Sequence, residues 1–100
     1  MALTSKQRAH LKGLASKIPV IIQVGKGGVS DNLIRQIDTA LEARELIKIR
    51  FLQNVDDDPE ELARALANQT AAEVVQRIGK VAVLYRPSQD NPGKGGIADE

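Results

Sequence analysis

Val20-Ile21-Ile22-Gln23-Val24-Gly25-Lys26-Gly27-Gly28-Val29-Ser30 is the stretch on which the fold turns. A β-branched apolar run meets a glycine turn, and a helix start follows. β-Branched residues suit the pleated, half-buried surface of a strand. Glycine lets the backbone take positive φ and come close to a ligand. Ser30 is a good helix cap, because its hydroxyl can accept from backbone N–H groups one turn on. The helix N-terminus beyond it offers free N–H groups and a partial positive charge. Strand, G-x-x-G loop with Lys26 inside it, and helix end together form a cradle suited to phosphate.

Upstream of this stretch, residues 4–17 read as an amphipathic helix. Leu3, Gln7, Leu11, Leu14, Ala15 and Ile18 share one stripe, Thr4 or Ser5 can cap the start, and Pro19 stops it. Lys6, His10 and Lys17 lie together on another side, with Arg8 and Lys12 nearer the opposite edge. This is either a solvated basic face or an extension of the phosphate surface. Downstream, Asp31 to about Arg44 is helical, with Leu33, Ile34, Ile37 and Leu41 as its buried stripe. Residues 45–52 alternate as a strand does, Ile47, Ile49 and Phe51 on one face and Lys48 and Arg50 on the other. Strand, helix and strand in so short a span imply a right-handed parallel βαβ unit.

Asp56-Asp57-Asp58-Pro59-Glu60-Glu61 resembles a metal site but is better read as a helix start. Asp58 is the N-cap, Pro59 takes the first helical position, and acid sits at the positive end of the dipole. That helix runs to about Asn68 over Leu62, Ala65 and Leu66. Strands at 73–78 and 81–86 follow, joined by Gly79-Lys80, which fits a type II′ hairpin turn. The expected architecture is a single α/β domain of order α-β-α-β-α-β-β with a mixed four-stranded sheet over residues 1–87. Residues 88–100 are rich in glycine, proline and polar residues and are expected to be a disordered tail. That tail repeats Gly-Lys-Gly-Gly at 93–96, but no strand enters the copy and no apolar helix leaves it, so it is assigned no site.

The 100 residues include no cysteine, one histidine and only two aromatics, Phe51 and Tyr85. Thiol chemistry and disulfides are excluded, and one histidine without cysteine cannot build a common zinc site. No metal, cofactor or catalytic residue is expected. No apolar run approaches the ~20 residues of a membrane span, and the N-terminus lacks a long apolar signal core. A soluble cytoplasmic monomer is the expectation. The net charge of +1 conceals a split. Residues 1–55 carry nine Lys and Arg against four Asp and Glu, and residues 56–100 carry five against nine. Such asymmetry suits one positive surface for a polyanion, although chance segregation gives the same count.

Known phosphate motifs fit incompletely. No Lys-Ser or Lys-Thr follows a glycine as a P-loop requires, and Ser30 stands where a dinucleotide fold has its third glycine. The scarcity of aromatics disfavours an RRM, which stacks bases on its strands. A G-x-x-G loop that clamps a nucleic-acid backbone, as in KH domains, is a closer chemical match, though there it joins two helices. His10, between Arg8 and Lys12, reads as a surface residue able to contact a phosphate or base rather than as a catalyst.

Several pieces, in order over residues 3–87, resemble bacterial YhbY-type proteins, the stand-alone form of the CRM (chloroplast RNA splicing and ribosome maturation) domain. They are Leu3-Thr4-Ser5-Lys6-Gln7-Arg8, Leu11-Lys12-Gly13-Leu14-Ala15, Gly25-Lys26-Gly27-Gly28, Glu45-Leu46-Ile47-Lys48-Ile49 and Ile78-Gly79-Lys80-Val81-Ala82-Val83-Leu84-Tyr85-Arg86-Pro87. The resemblance implies an RNA-binding fold similar to the C-terminal domain of bacterial initiation factor three. It implies association with precursors of the large ribosomal subunit. It also implies RNA contact at Gly25, Lys26, Gly27 and Gly28 and at a basic surface of Lys6, Arg8, Lys12, Lys48 and Arg50. One departure is the tail, which ends in Asp99 and Glu100 where many relatives are basic. The alternative is an adaptor that docks on ribosomal proteins through its sheet or acidic third helix. An enzyme acting on a phosphorylated small molecule is a third reading, and no acid–base pair in the sequence supports it.

Overall fold

Each helix of the computed structural model, which describes residues 3–27, 29–53, 55 and 57–89, starts with a different device. Helix α1 (Ser5–Ala15) opens on a capping box: Thr4 Oγ1 accepts from Gln7 N–H at 3.1 Å, and Gln7 Oε1 accepts from Thr4 N–H at 3.0 Å. Gln7, expected on the apolar stripe, thus serves the cap. The helix closes at Ser16, where the Oγ donates to Gly13 O at 2.7 Å, so it ends before Pro19 is reached. Helix α2 (Asp31–Arg44) is capped by Ser30, which accepts from Leu33 N–H at 3.1 Å. Helix α3 (Pro59–Thr70) has Asp58 at the cap position with extended backbone, but its carboxylate makes no capping bond. There Pro59 at the first position and the acids Glu60 and Glu61 mark the start.

Strands β1 (Val20–Val24), β2 (Leu46–Phe51), β3 (Glu73–Ile78) and β4 (Val81–Tyr85) form one sheet in the order β1-β2-β4-β3. β1 and β2 are parallel and the other two pairings antiparallel, so the sheet is mixed, as expected. Gly79 has φ +58° while Lys80 keeps negative φ, the combination of a type II′ turn.

Helices α2 and α3 cover one face of the sheet. Ile22, Val24, Ile47, Ile49, Phe51, Ala82 and Leu84 pack there against Leu33, Ile37, Leu41, Leu62 and Leu66. Helix α1 crosses the other face, where Leu11 and Ala15 meet Leu46, Val75, Val83 and Tyr85. At ~1.5–3 kcal/mol for each large aliphatic side chain fully buried, this core needs few aromatics. Because α1 is a single helix, it covers only part of its face. Register places Val20, Lys48 and Val83 in one row and Gln23, Arg50, Val81 and Ile78 in the next. The second row stays open: Gln23 and Arg50 are exposed, and Ile78 is 68% exposed.

The chain enters β2 through Glu45, a fully buried residue with φ +66°. Its N–H donates to Leu41 O at 2.7 Å, its carbonyl accepts from Arg86 N–H at 2.9 Å, and its carboxylate accepts from Ser88 N–H at 2.6 Å. Arg86 is itself buried. Its Nη1 donates to Asp38 Oδ1 at 2.6 Å and to Thr70 O at 2.8 Å, joining the middle of α2 to the end of α3. Ser88 Oγ donates to Glu42 at 2.6 Å, and Gln89 N–H donates to the same carboxylate at 3.1 Å. A tail beginning at residue 88 therefore starts too early, since Ser88 is buried and Gln89 is held. The rest of the expected tail, including the glycine copy at 93–96, lies outside the described residues.

Candidate nucleic-acid interface

The glycine loop leaves β1 where Leu52 N–H donates to Val24 O at 2.9 Å, fixing the loop's base to the end of β2. Gly27 has φ +105°, a conformation that side chains rarely adopt, and a Cβ there would meet nothing within 4 Å. Backbone conformation, not crowding, demands glycine at 27. Gly25 has no such need: a Cβ would touch only Leu52 Cδ1 at an ordinary 3.7 Å. Lys26 is exposed, and Gly28 lies outside the described residues. At the start of α2, Ser30 already takes the Leu33 amide, and Asp31 puts a negative charge in the first turn. That charge offsets part of the helix dipole.

The ion pairs show which cations are already engaged. Among the described residues they use Arg64, Arg77 and Arg86, all from the acidic half of the chain, with Glu60, Asp38 and Glu42 as partners. Lys17, Lys26, Arg44, Lys48, Arg50 and Lys80 pair with no described carboxylate. These six lie along β2. Arg50 stands on the open row beside Gln23, the β1 residue two before the glycine loop. Lys80 joins that end because Phe51 N–H donates to its carbonyl at 2.7 Å. Lys48 follows Arg50 on the same face, about 7 Å along the strand. Lys17, Arg44 and Lys48 then line a cleft at the far end. Lys17, Arg44, Lys80 and the exposed Ile78 were absent from the sequence-derived set. Pairing β4 between β2 and β3 and laying α1 across β2 gathers them.

Helix α1 divides its cations between two edges. Arg8 Nη1 donates to Val74 O and Val75 O, each at 2.7 Å, at the irregularity in β3. Its charge satisfies backbone acceptors, and Lys12, one turn on, shares its edge. β3 is the far edge strand, about 10 Å from β2 across β4. Lys17, in the turn that follows α1, stands beside β2, and helical spacing puts Lys6 and His10 on the side of α1 opposite Arg8 and Lys12. His10 is half-buried, and its Nε2 is covered with no hydrogen-bond partner among the described residues. The expected set thus separates: Lys6, Lys26, Lys48 and Arg50 fall on the β1–β2 side, and Arg8 and Lys12 on the β3 side.

Among the described residues no group of three or more His, Asp or Glu is placed to hold a metal ion, and no helix is long and apolar enough to cross a membrane. Burial, with the negative charge of Glu45 as a second cause, raises Tyr85 above its ordinary 10.0.

Comparison with known proteins gives a consistent picture. The model of the CRS1 / YhbY (CRM) domain matches residues 3–86. A Bacillus subtilis (strain 168) protein named "Probable RNA-binding protein YqeI" is 49% identical over 89 residues, covering 89% of this chain and 93% of that one. A Haemophilus influenzae protein named "RNA-binding protein" is 34% identical over 88 residues, covering 88% and 89%. The solution structure of a Staphylococcus aureus protein superposes with a TM-score of 0.75 at 51% identity, covering 90% of this chain and 94% of that one.

Proposed function

We propose, from the premise that this chain belongs to the CRS1 / YhbY (CRM) domain family, that it binds RNA as a non-catalytic module acting in assembly of the large ribosomal subunit. The names of its relatives support RNA as the ligand. The observation that carries the reading is the segregation of charge. Arg64, Arg77 and Arg86 of the acidic half are held in ion pairs, while the cations along β2 and the glycine loop, Lys80 among them, pair with no described carboxylate and are left for an external anion. In this reading the backbone of Gly25–Gly28 and the ammonium of Lys26 hold phosphate. Arg50 and Lys80 flank the loop, and Lys48 and Lys6 continue the track. Contacts of this kind position a strand without reading its sequence. Arg8 and Lys12, over β3, fall outside the track.

Crosslinking the full chain to RNA in cells and sequencing what is bound tests both parts. Precursors of large-subunit ribosomal RNA are the expected product, reduced when Lys26 and Arg50 are both replaced by Ala. Recovery of unrelated transcripts would remove the assembly role. Recovery of ribosomal proteins without RNA would favour the adaptor reading.

A further inference from the structure

At the end of β2 remote from the glycine loop, α1 and the start of β1 enclose a cleft of about 280 Å³. Leu14, Ile18 and Leu46 make an apolar floor, and Lys17, Arg44 and Lys48 stand around it. Among the described residues no carboxylate lines it and the three cations have no ion-pair partner. An apolar floor ringed by unpaired cations calls for a ligand that is flat and apolar on its faces and anionic at its edge. The volume is slightly below the ~300–1,000 Å³ of typical ligand pockets, so it admits one ring system and not two.

The rest of the molecule narrows the choice. Proteins that bind single-stranded RNA stack its bases on aromatic rings or on arginine guanidinium planes. The only two aromatic side chains of this chain, Phe51 and Tyr85, are buried at 1% and 7% exposure. Neither ring faces the solvent, and His10 is half-buried and outside the cleft lining, which leaves arginine at the cleft. Arg44 is the arginine that lines this cleft, and Lys48 belongs both to the cleft and to the phosphate track. A strand following the track from Lys26 reaches the cleft at Lys48.

We infer that the cleft takes one unstacked base of the bound RNA, with Arg44 covering its face and Lys17 and Lys48 holding the adjoining phosphates. The inference rests on the RNA-binding reading above and adds a base-accepting site to it.

Methyl NMR of the full chain, titrated with adenosine or uridine 5′-monophosphate, tests it. The probes for comparison are inorganic phosphate and ribose 5-phosphate. The nucleotides should shift the methyls of Leu14, Ile18 and Leu46, and the two base-free probes should not. Arg44→Gln should weaken nucleotide binding about tenfold or more, the size of losing one stacked base. Arg44→Lys keeps the charge but not the planar guanidinium, and should weaken it nearly as much. Lys12→Ala, on the β3 side of α1 and outside the track, should leave it unchanged. Equal shifts with ribose 5-phosphate, full binding by Arg44→Lys, or no response of the cleft methyls to millimolar nucleotide would each overturn the base site. If longer RNA still binds in a Lys26-dependent way, the RNA-binding reading survives that result. If RNA does not bind at all, that reading falls first.

Discussion

The salt dependence of RNA affinity follows from the number of cations on the track. Lys26, Arg50 and Lys80 stand at the loop end and Lys17, Arg44 and Lys48 at the cleft end, none paired with a described carboxylate. On a single strand each neutralised phosphate contributes roughly −0.7 to the slope of log affinity against log salt, so full use of the track predicts a slope of about −4. Raising salt from about 50 to about 200 mM should then weaken binding by about 300-fold. Lys26→Ala should flatten the slope by about 0.7 and weaken binding about equally for RNAs of different sequence. Lys12→Ala removes the same charge on the β3 side of α1, and should leave the slope unchanged. Fluorescence anisotropy with a short unstructured RNA over a salt series measures all three. A parent slope shallower than about −1 would refute the phosphate track. Equal losses from Lys12→Ala and Lys26→Ala would refute its placement along β2.

Three further outcomes are expected. A chain ending after Pro87 loses the Ser88 N–H bond to the Glu45 carboxylate and both bonds to Glu42, whereas one ending after Gln89 keeps them. The shorter chain should be less stable by about 1.5–3 kcal/mol, seen in urea unfolding, and equal stability would show that these contacts contribute nothing. Tyr85 is raised above 10.0 by burial and by Glu45, so it stabilises the fold fully below the pKa of the unfolded chain. That contribution should fade as pH rises above about 10, and Tyr85→Phe should remove this part of the alkaline loss in thermal melts. Gly27→Ala forces a side chain into φ +105° and should cost about 1–3 kcal/mol. Gly27→Asp should cost a similar amount of stability yet weaken RNA binding further, because its charge opposes phosphate; equal RNA affinities for the two variants would argue against phosphate at the loop.

What could be read from the sequence was whatever depends on neighbours along the chain. The β-branched run before Gly25, the Ser30 cap, the alternation of 45–52 and the Gly79-Lys80 turn are local patterns, and each element formed where its pattern lay. The candidate site is legible only as far as it is local. Lys26 announces itself by lying between glycines, and Lys48 and Arg50 by alternating with apolar residues that must face inward. Arg8 shows the limit. Its neighbours Lys6 and Lys12 present it as one more surface cation, yet its nearest acceptors are carbonyls of Val74 and Val75, in the far edge strand. Lys80 shows the converse. It reads as a turn residue until the Phe51 amide, 29 positions earlier in the sequence, bonds its carbonyl and fixes it at the end of β2 nearest the glycine loop. The cleft is equally non-local, because Lys17, Arg44 and Lys48 come from three elements that meet only when α1 crosses β2. The same crossing explains why a basic surface exists at all. One helix cannot cover a four-stranded face, so water reaches part of it, and there Lys48, half-buried, and Arg50, exposed, are cations.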